Sequence, residues 1–126
     1  MRLLLDSHIL LWWAAGDKKL GARASELLID TEHDLFMSAA SWWELSLKRA
    51  LGRLRVDLVL TRHALRERSV SILPVTVEHA EAAGALPALH SDPFDHMLVA
   101  QAATAGLRLL TRDKHLKAYG TAVLCV

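Results

Sequence analysis

The sequence predicts an α/β domain in which helices cover both faces of a central, mainly parallel sheet of four to five strands. Short apolar blocks typical of buried strands alternate along the chain with segments of helical periodicity, and this alternation favours a parallel sheet. With 126 residues and 52% hydrophobic content, the chain has the size of one domain and enough apolar side chains for a core. We therefore expect a single domain over residues 1–126.

The first half of the chain predicts two strands and four helices from its periodicity and its breaks. Apolar residues at helical spacing fill the segment "AASWWELSLKRALG", whose helix we expect to end at Gly52. The predicted elements are, in order, a strand at "RLLL", a helix from about Ser7, a helix over about 22–31, a strand at "LFMS", the helix just named, and a helix over 58–68.

The second half predicts three more strands and two capped helices. Thr76 suits the N-cap of a helix that runs through residue 85. Asp92 followed by Pro93 has the N-cap and N1 pattern of a second helix, which we expect to stop at Gly106. The segments "SILPV", "LRLLT" and "AVLCV" predict the remaining strands.

Composition and the first residues argue against a membrane or secreted protein. No apolar run approaches the ~20 residues that a membrane-spanning helix needs. The leucine-rich start is interrupted by Asp6 and His8 and lacks a small-residue cleavage site, so we expect no secretory signal. The single cysteine, Cys125, cannot form an internal disulfide, which agrees with a reducing compartment. The expected location is the cytoplasm.

One segment is strongly basic although the formal net charge of the chain is only +1. Residues 48–68 hold seven basic side chains and two acidic ones. Such a run is most often a solvated helix face, but it also suits phosphates or an acidic partner. Both interpretations stay open at this point.

Four acidic residues are predicted to lie at one edge of the sheet. Asp6 directly follows the first strand, Asp113 lies just beyond the fourth, and Glu44 and Asp95 are expected in the first turns of helices. The carboxyl ends of parallel strands are where such sheets bind ligands. Clustered carboxylates repel one another and raise each other's pKa unless a cation compensates, and hard oxygen ligands suit Mg²⁺ or Mn²⁺. The sequence therefore predicts a metal site.

Several acidic residues in these segments also have a purely structural alternative. Asp92 and Asp95 match the N-cap and N3 positions of a helix start, and Ser41 with Glu44 fits a capping box, S-x-x-E. Asp6 is the exception, because we see no capping role for it and a charge at the end of a leucine strand is costly to bury. The set of acids is more specific than any one of them.

Several segments together resemble the PIN-domain family, and in particular its small bacterial VapC-type toxins. They are "LLLDSHILLWW", "SAASWWELSLKRALGRL", "LPVTVEHAEAAGALPALHSDPFDHMLVAQA" and "LLTRD", in that order over nearly the whole chain. The resemblance implies a PIN-like three-layer α/β/α fold and hydrolysis of RNA with bound divalent metal. The matching catalytic and metal-binding positions are Asp6, Glu44, Asp95 and Asp113.

The resemblance also suggests roles for residues around the acids. Asp92 resembles an extra acid of the subgroup with a DPFDR-like motif, and we interpret it mainly as a helix cap. His96 departs from that motif, which usually has Arg after the third acid, so contact with RNA phosphate would depend on its protonation. Ser7 and Thr111 are candidates to orient the carboxylates. Lys48, Arg49, His96 and Arg112 are candidates to bind RNA, and His90 is a loop residue that could brace the acids.

The implied function is that of the toxin of a type II toxin–antitoxin system, an endoribonuclease of hydrolase type that cuts phosphodiester bonds with metal-activated water. The implied partners are RNA, a small VapB-like antitoxin whose C-terminal segment covers the acidic groove, and a second copy of the chain. A phosphoryl-accepting receiver domain fits less well, because Asp6 has no adjacent acid and Thr111 is not followed by Lys. A catalytically silent PIN-like module that binds RNA or protein stays open.

Overall fold

The computed structural model describes residues 1–89 and 91–126, and the loop role predicted for His90 lies outside them. The strands are β1 Arg2–Leu5, β2 Asp34–Ser38, β3 Val70–Leu73, β4 Arg108–Thr111 and β5 Val123–Cys125. The α-helices are α1 Ser7–Ala15, α2 Ala22–Ile29, α3 Ala39–Ala50, α4 Leu58–Glu67, α5 Val77–Ala85 and α6 Pro93–Ala105. Two 3₁₀ segments, Lys18–Leu20 and Lys114–Ala122, complete the described elements.

The five strands form one parallel sheet in the order β3-β2-β1-β4-β5. β1 lies at the centre, with Leu4 in register with Phe36 of β2 on one side and with Leu109 of β4 on the other. The chain order reverses between β1 and β4, which makes the carboxyl ends of these two strands the expected place for a ligand site.

Two apolar cores cover the two faces of the sheet, because successive strand residues point to opposite faces. Leu3 and Leu5 belong to the core under α1, α2 and α4, whereas Leu4 belongs to the core under α6 and the second 3₁₀ segment. All three leucines are fully buried. The prediction of an α/β fold with helices on both faces is confirmed, and the strand count is five.

The helix caps agree with the sequence analysis in the second half of the chain and differ in the first half. Thr76 caps α5 and Asp92 caps α6, as predicted. The predicted capping box of Ser41 with Glu44 is wrong, because α3 begins earlier and its N-cap is Ser38, whose side chain accepts from the N–H of Ala40. In the described part of the chain, no helix is long and apolar enough to cross a membrane.

Candidate active site

Asp6 follows β1 directly and is 6% exposed. Its Oδ1 accepts a hydrogen bond from the N–H of Ile9 at 2.9 Å, so it is the N-cap of α1. Its Oδ2 accepts a hydrogen bond from the hydroxyl of Thr111, the last residue of β4. The expectation that Asp6 has no capping role is therefore wrong: one oxygen caps a helix and the other faces the neighbouring strand.

Burial raises the pKa of the Asp6 carboxyl above its ordinary value. The hydrogen bonds from Thr111 and from the backbone of Ile9 act in the opposite direction, and so does the charge of His8, but desolvation is the largest effect. A carboxylate in this position therefore gains from a nearby cation.

Asp113 is joined to Asp6 through Thr111. The N–H of Asp113 donates to the hydroxyl oxygen of Thr111 at 3.0 Å, while that hydroxyl donates to Asp6. Asp113 also caps the second 3₁₀ segment, because its Oδ1 accepts from the N–H of His115 at 2.9 Å. The adjacent strands β1 and β4 thus bring together two of the four predicted acids, with a threonine between them.

Glu44 lies beside this chain of hydrogen bonds and is also 6% exposed. The hydroxyl of Ser7, the residue after Asp6, donates to Oε1 of Glu44 at 2.6 Å. The ammonium group of Lys48 lies 2.8 Å from Oε2. Glu44 is the sixth residue of α3 and not in its first turn as predicted. Both of its oxygens already have a partner, one of them cationic.

The start of α6 contains the other two predicted acids. Oδ1 of Asp92 accepts from the N–H of Phe94 at 2.8 Å and from that of Asp95 at 3.4 Å. Asp95 is half-buried in the first turn. Phe94 packs edge-on against Trp43 of α3, with ring centroids 5.2 Å apart, and this contact ties the start of α6 to the helix that carries Glu44.

The four residues proposed to bind RNA have different environments. Lys48 pairs with Glu44, and Arg49 is exposed on α3. Nε2 of His96 lies 3.0 Å from the hydroxyl of Tyr119, which also donates to the carbonyl of Pro87. The guanidinium of Arg112 donates to the carbonyl of Leu20 at 3.0 Å. Only Arg49 has a side chain without a hydrogen bond or ion pair to the described residues.

The backbone conformation at residue 21 explains why it is glycine. Gly21 has φ +83° and ψ 159°, a region that only glycine adopts readily, and a Cβ there would lie 2.2 Å from Nη1 of Arg112. Gly21→Ala should therefore lower the free energy of unfolding by about 1–3 kcal/mol in urea denaturation. The control is Gly84→Ala in α5, where the Cβ meets open space and alanine should be neutral or stabilising. Equal losses in both variants would contradict this explanation.

The donor chemistry fits a hard divalent cation, since carboxylate oxygens are the ligands that Mg²⁺ and Mn²⁺ prefer. Asp6 and Glu44 are buried carboxylates oriented by hydroxyl groups, as metal ligands commonly are. Residues 1–89 and 91–126 nevertheless contain no group of three or more His, Cys, Asp or Glu side chains already placed to hold a metal ion. The metal expectation therefore stays a prediction.

Comparison with known proteins agrees with this architecture. Residues 3–121 match the PIN domain family. Ribonuclease VapC22 of Mycobacterium tuberculosis (strain ATCC 25618 / H37Rv) is 33% identical over 119 residues, which cover 93% of this chain and 91% of that protein.

Solved structures with low sequence identity share the fold. One is VapBC2 from Rickettsia felis bound to a DNA fragment from its promoter, which superposes with a TM-score of 0.70 at 14% identity. The match covers 100% of this chain and 98% of that chain. VapBC-1 from nontypeable Haemophilus influenzae gives a TM-score of 0.64 at 19% identity, with coverage of 100% and 97%.

Proposed function

Since the chain belongs to the PIN-domain family, we propose that it is a VapC-type toxin of a type II toxin–antitoxin system and acts as a metal-dependent endoribonuclease. The observation that carries the proposal is the hydrogen-bonded series Asp6–Thr111–Asp113 at the carboxyl ends of β1 and β4, with buried Glu44 beside it. This is the edge of a parallel sheet where ligands bind.

The chain's own side chains hold the acids in place for this reaction. The hydroxyl of Thr111 donates to Asp6 and accepts from the N–H of Asp113. These two hydrogen bonds orient the acid that follows β1 and the acid that follows β4. The hydroxyl of Ser7 orients Glu44 in the same way. The ligands that we assign to Mg²⁺ or Mn²⁺ are Asp6, Glu44, Asp95 and Asp113. When bound, the ion would supply the positive charge that activates water and offsets charge developing on the scissile phosphate.

The proposed partners follow from the relatives. Ribonuclease VapC22 is named for its activity, and the R. felis and H. influenzae structures are VapBC pairs. We propose RNA as the substrate and a small VapB-like antitoxin as the partner that covers the acidic groove, with the chain acting as a homodimer in the cytoplasm.

One observation favours a second candidate, a catalytically silent PIN-like module that binds RNA or protein. Both oxygens of Glu44 are occupied, one by the hydroxyl of Ser7 and the other by the ammonium of Lys48. A site in which Lys48 permanently replaces a divalent ion would bind partners without cutting RNA. The ribonuclease is the better supported candidate, because Asp6 and Asp113 are held together independently of that ion pair.

Metal titration separates the two candidates. We expect the purified chain to cut single-stranded RNA with added Mg²⁺ or Mn²⁺, to stop in excess EDTA, and to recover when the metal is restored. The products should carry 5′-phosphate ends, because water and not the RNA 2′-hydroxyl is the nucleophile. Cleavage that continues undiminished in EDTA would overturn the metal assignment, and binding of RNA without cleavage at any metal concentration would favour the silent module.

A further inference from the structure

A basic surface begins where α3 ends and continues to the start of α4. It contains the exposed arginines Arg49, Arg53 and Arg55. Their guanidinium groups make no hydrogen bond or ion pair with residues 1–89 or 91–126. The carboxylate of Asp57 belongs to the same surface and caps α4 by accepting from the N–H of Leu60 at 3.1 Å. Three arginines face this one acid, so the surface keeps a net positive charge. The positive charge of this surface is therefore available to a partner.

The surface is concave. A groove of about 490 Å³, which we call the α3–α4 groove, is lined by two arginines, one acid and small or apolar residues: Arg49, Arg55, Asp57, Gly52, Leu54 and Val56. A second depression of about 390 Å³ shares Arg49 and continues along α3 past Ser46. The two arginines suit the regularly spaced phosphates of a nucleic acid. The apolar side chains suit the partly apolar sugars that join those phosphates.

The groove lies close to the proposed active site along the same helix. Arg49 follows Glu44 by five residues, which is about 7.5 Å along the axis of α3 and about 140° around it. Glu44 is buried towards the site and Arg49 is exposed, so an RNA strand that leaves the acids reaches Arg49 by passing around the side of α3. A strand of RNA that meets four carboxylates at the site of cleavage is repelled by them, and cations beside the site reduce that repulsion. RNA must approach the acids in order to be cut, so it gains from cations near them. An acidic peptide is repelled by the same carboxylates and has no need to approach them, so the position of the groove favours RNA.

We propose that the α3–α4 groove binds the phosphate backbone of single-stranded RNA that extends from the cleavage site, through Arg49 and Arg55. The proposal rests on the proposed ribonuclease function. Arginine binds phosphate through paired N–H groups, and contacts to phosphate position RNA without reading its sequence. The described lining of the groove contains no aromatic side chain on which a base could stack. The groove therefore contributes affinity and register and leaves sequence preference to other residues.

Salt dependence of binding tests this role. A fluorescent single-stranded oligoribonucleotide is titrated with protein in EDTA, so that it stays intact, over a series of KCl concentrations. Each phosphate contact to single-stranded nucleic acid contributes about 0.7 to the slope of log affinity against log salt. The double variant Arg49→Gln with Arg55→Gln should therefore bind more weakly and with a slope shallower by about 1.4.

The matched control is Arg66→Gln with Arg68→Gln, which removes the same two charges. Both residues are exposed near the end of α4 that leads to the start of β3, at the edge of the sheet opposite the acids. The control should keep the slope of the original protein. An unchanged slope in the groove variant, or an equal loss in the control, overturns the proposal.

Two further measurements identify other outcomes. Polyglutamate that competes with RNA at equal affinity, and whose binding also needs Arg49 and Arg55, assigns the groove to an acidic peptide and overturns the RNA proposal. Cleavage of the same oligonucleotide with Mg²⁺ is measured in parallel. If the original protein binds RNA with the expected slope but does not cut it, the proposed activity fails while the groove assignment stands. Circular dichroism melts establish that all variants fold.

Discussion

Asp6→Asn should abolish RNA cleavage while the protein stays folded. Asparagine is as good an N-cap as aspartate, so α1 keeps the hydrogen bond from Ile9. The side-chain amide can donate to Thr111, whose hydroxyl rotates to accept. What is lost is the negative charge that a divalent ion requires. Because changes to residues that only support a metal ligand cost about 10–100-fold, loss of a ligand itself should cost more.

The same substitution should stabilise the protein in the absence of metal. Since burial raises the pKa of Asp6, the unfolded chain ionises first as the pH rises. Below the unfolded pKa, Asp6 is protonated in both states and its burial carries no charge penalty. The free energy of unfolding then decreases as the pH rises from the pKa of Asp6 in the unfolded chain to its higher pKa in the folded protein. Above the folded pKa it stays at the lower value. Asparagine does not titrate and should show no such loss.

Denaturation in EDTA at acid and neutral pH, together with cleavage assays in Mg²⁺, measures both effects. Asp17→Asn is the control, because Asp17 also caps a helical turn, through the N–H of Lys19, but follows the opposite end of α1 from Asp6. It should retain activity and show no gain in stability at neutral pH. An Asp6→Asn protein that still cuts RNA, or that is unfolded, would show that Asp6 has another role.

Asp92→Ser and Asp95→Asn should have very unequal effects on cleavage. Asp92 uses its Oδ1 to cap α6, and serine supplies a capping oxygen at the same position. Asp92→Ser should therefore keep most of the activity. Asp95→Asn keeps the size of the side chain in the first turn but removes the charge assigned to the metal, so cleavage should fall more than 100-fold.

Stability must be measured beside the rate in both variants. Asp92→Ala, which removes the cap, should lower the free energy of unfolding by about 0.5–2 kcal/mol, and such a loss can be mistaken for a catalytic defect. Comparing Asp92→Ser with Asp92→Ala isolates the cap. Equal and complete loss of cleavage in well-folded Asp92→Ser and Asp95→Asn proteins would mean that both carboxylates serve the metal.

The order of the elements was predictable from sequence because each has a local signal. Leucine blocks mark β1 and β4, and Thr76 and Asp92 mark the starts of α5 and α6. The two 3₁₀ segments were not predicted, since turns of this kind are short and lack a periodic apolar face. The segment predicted for α3 begins at Ala39, as the helix does, but the capping box of Ser41 with Glu44 placed its first turn too late, because Ser38 and Ser41 both suit a cap and only packing decides between them.

The site was predictable as a set of residues but not as a network. The spacing of Glu44 and Lys48, four apart on one helix, is a local signal for an ion pair, although this pair was not predicted. Asp6 three residues before Ile9 is likewise a recognisable cap. The contacts of Ser7 with Glu44 and of Thr111 with Asp6 join residues 37 and 105 positions apart. No local pattern reports such pairs, because they depend on the strand order.

The central position of β1 has a consequence during synthesis on the ribosome. β1 is made early, but its neighbour β4 follows about a hundred residues later, and Thr111 is 105 residues beyond Asp6. At about 5–20 residues per second, that interval is on the order of 5–20 s. Until it has passed, a nascent chain lacks one side of its sheet and has neither Thr111 nor Asp113 beside Asp6. A growing chain therefore carries no assembled site with which to cut the message that encodes it.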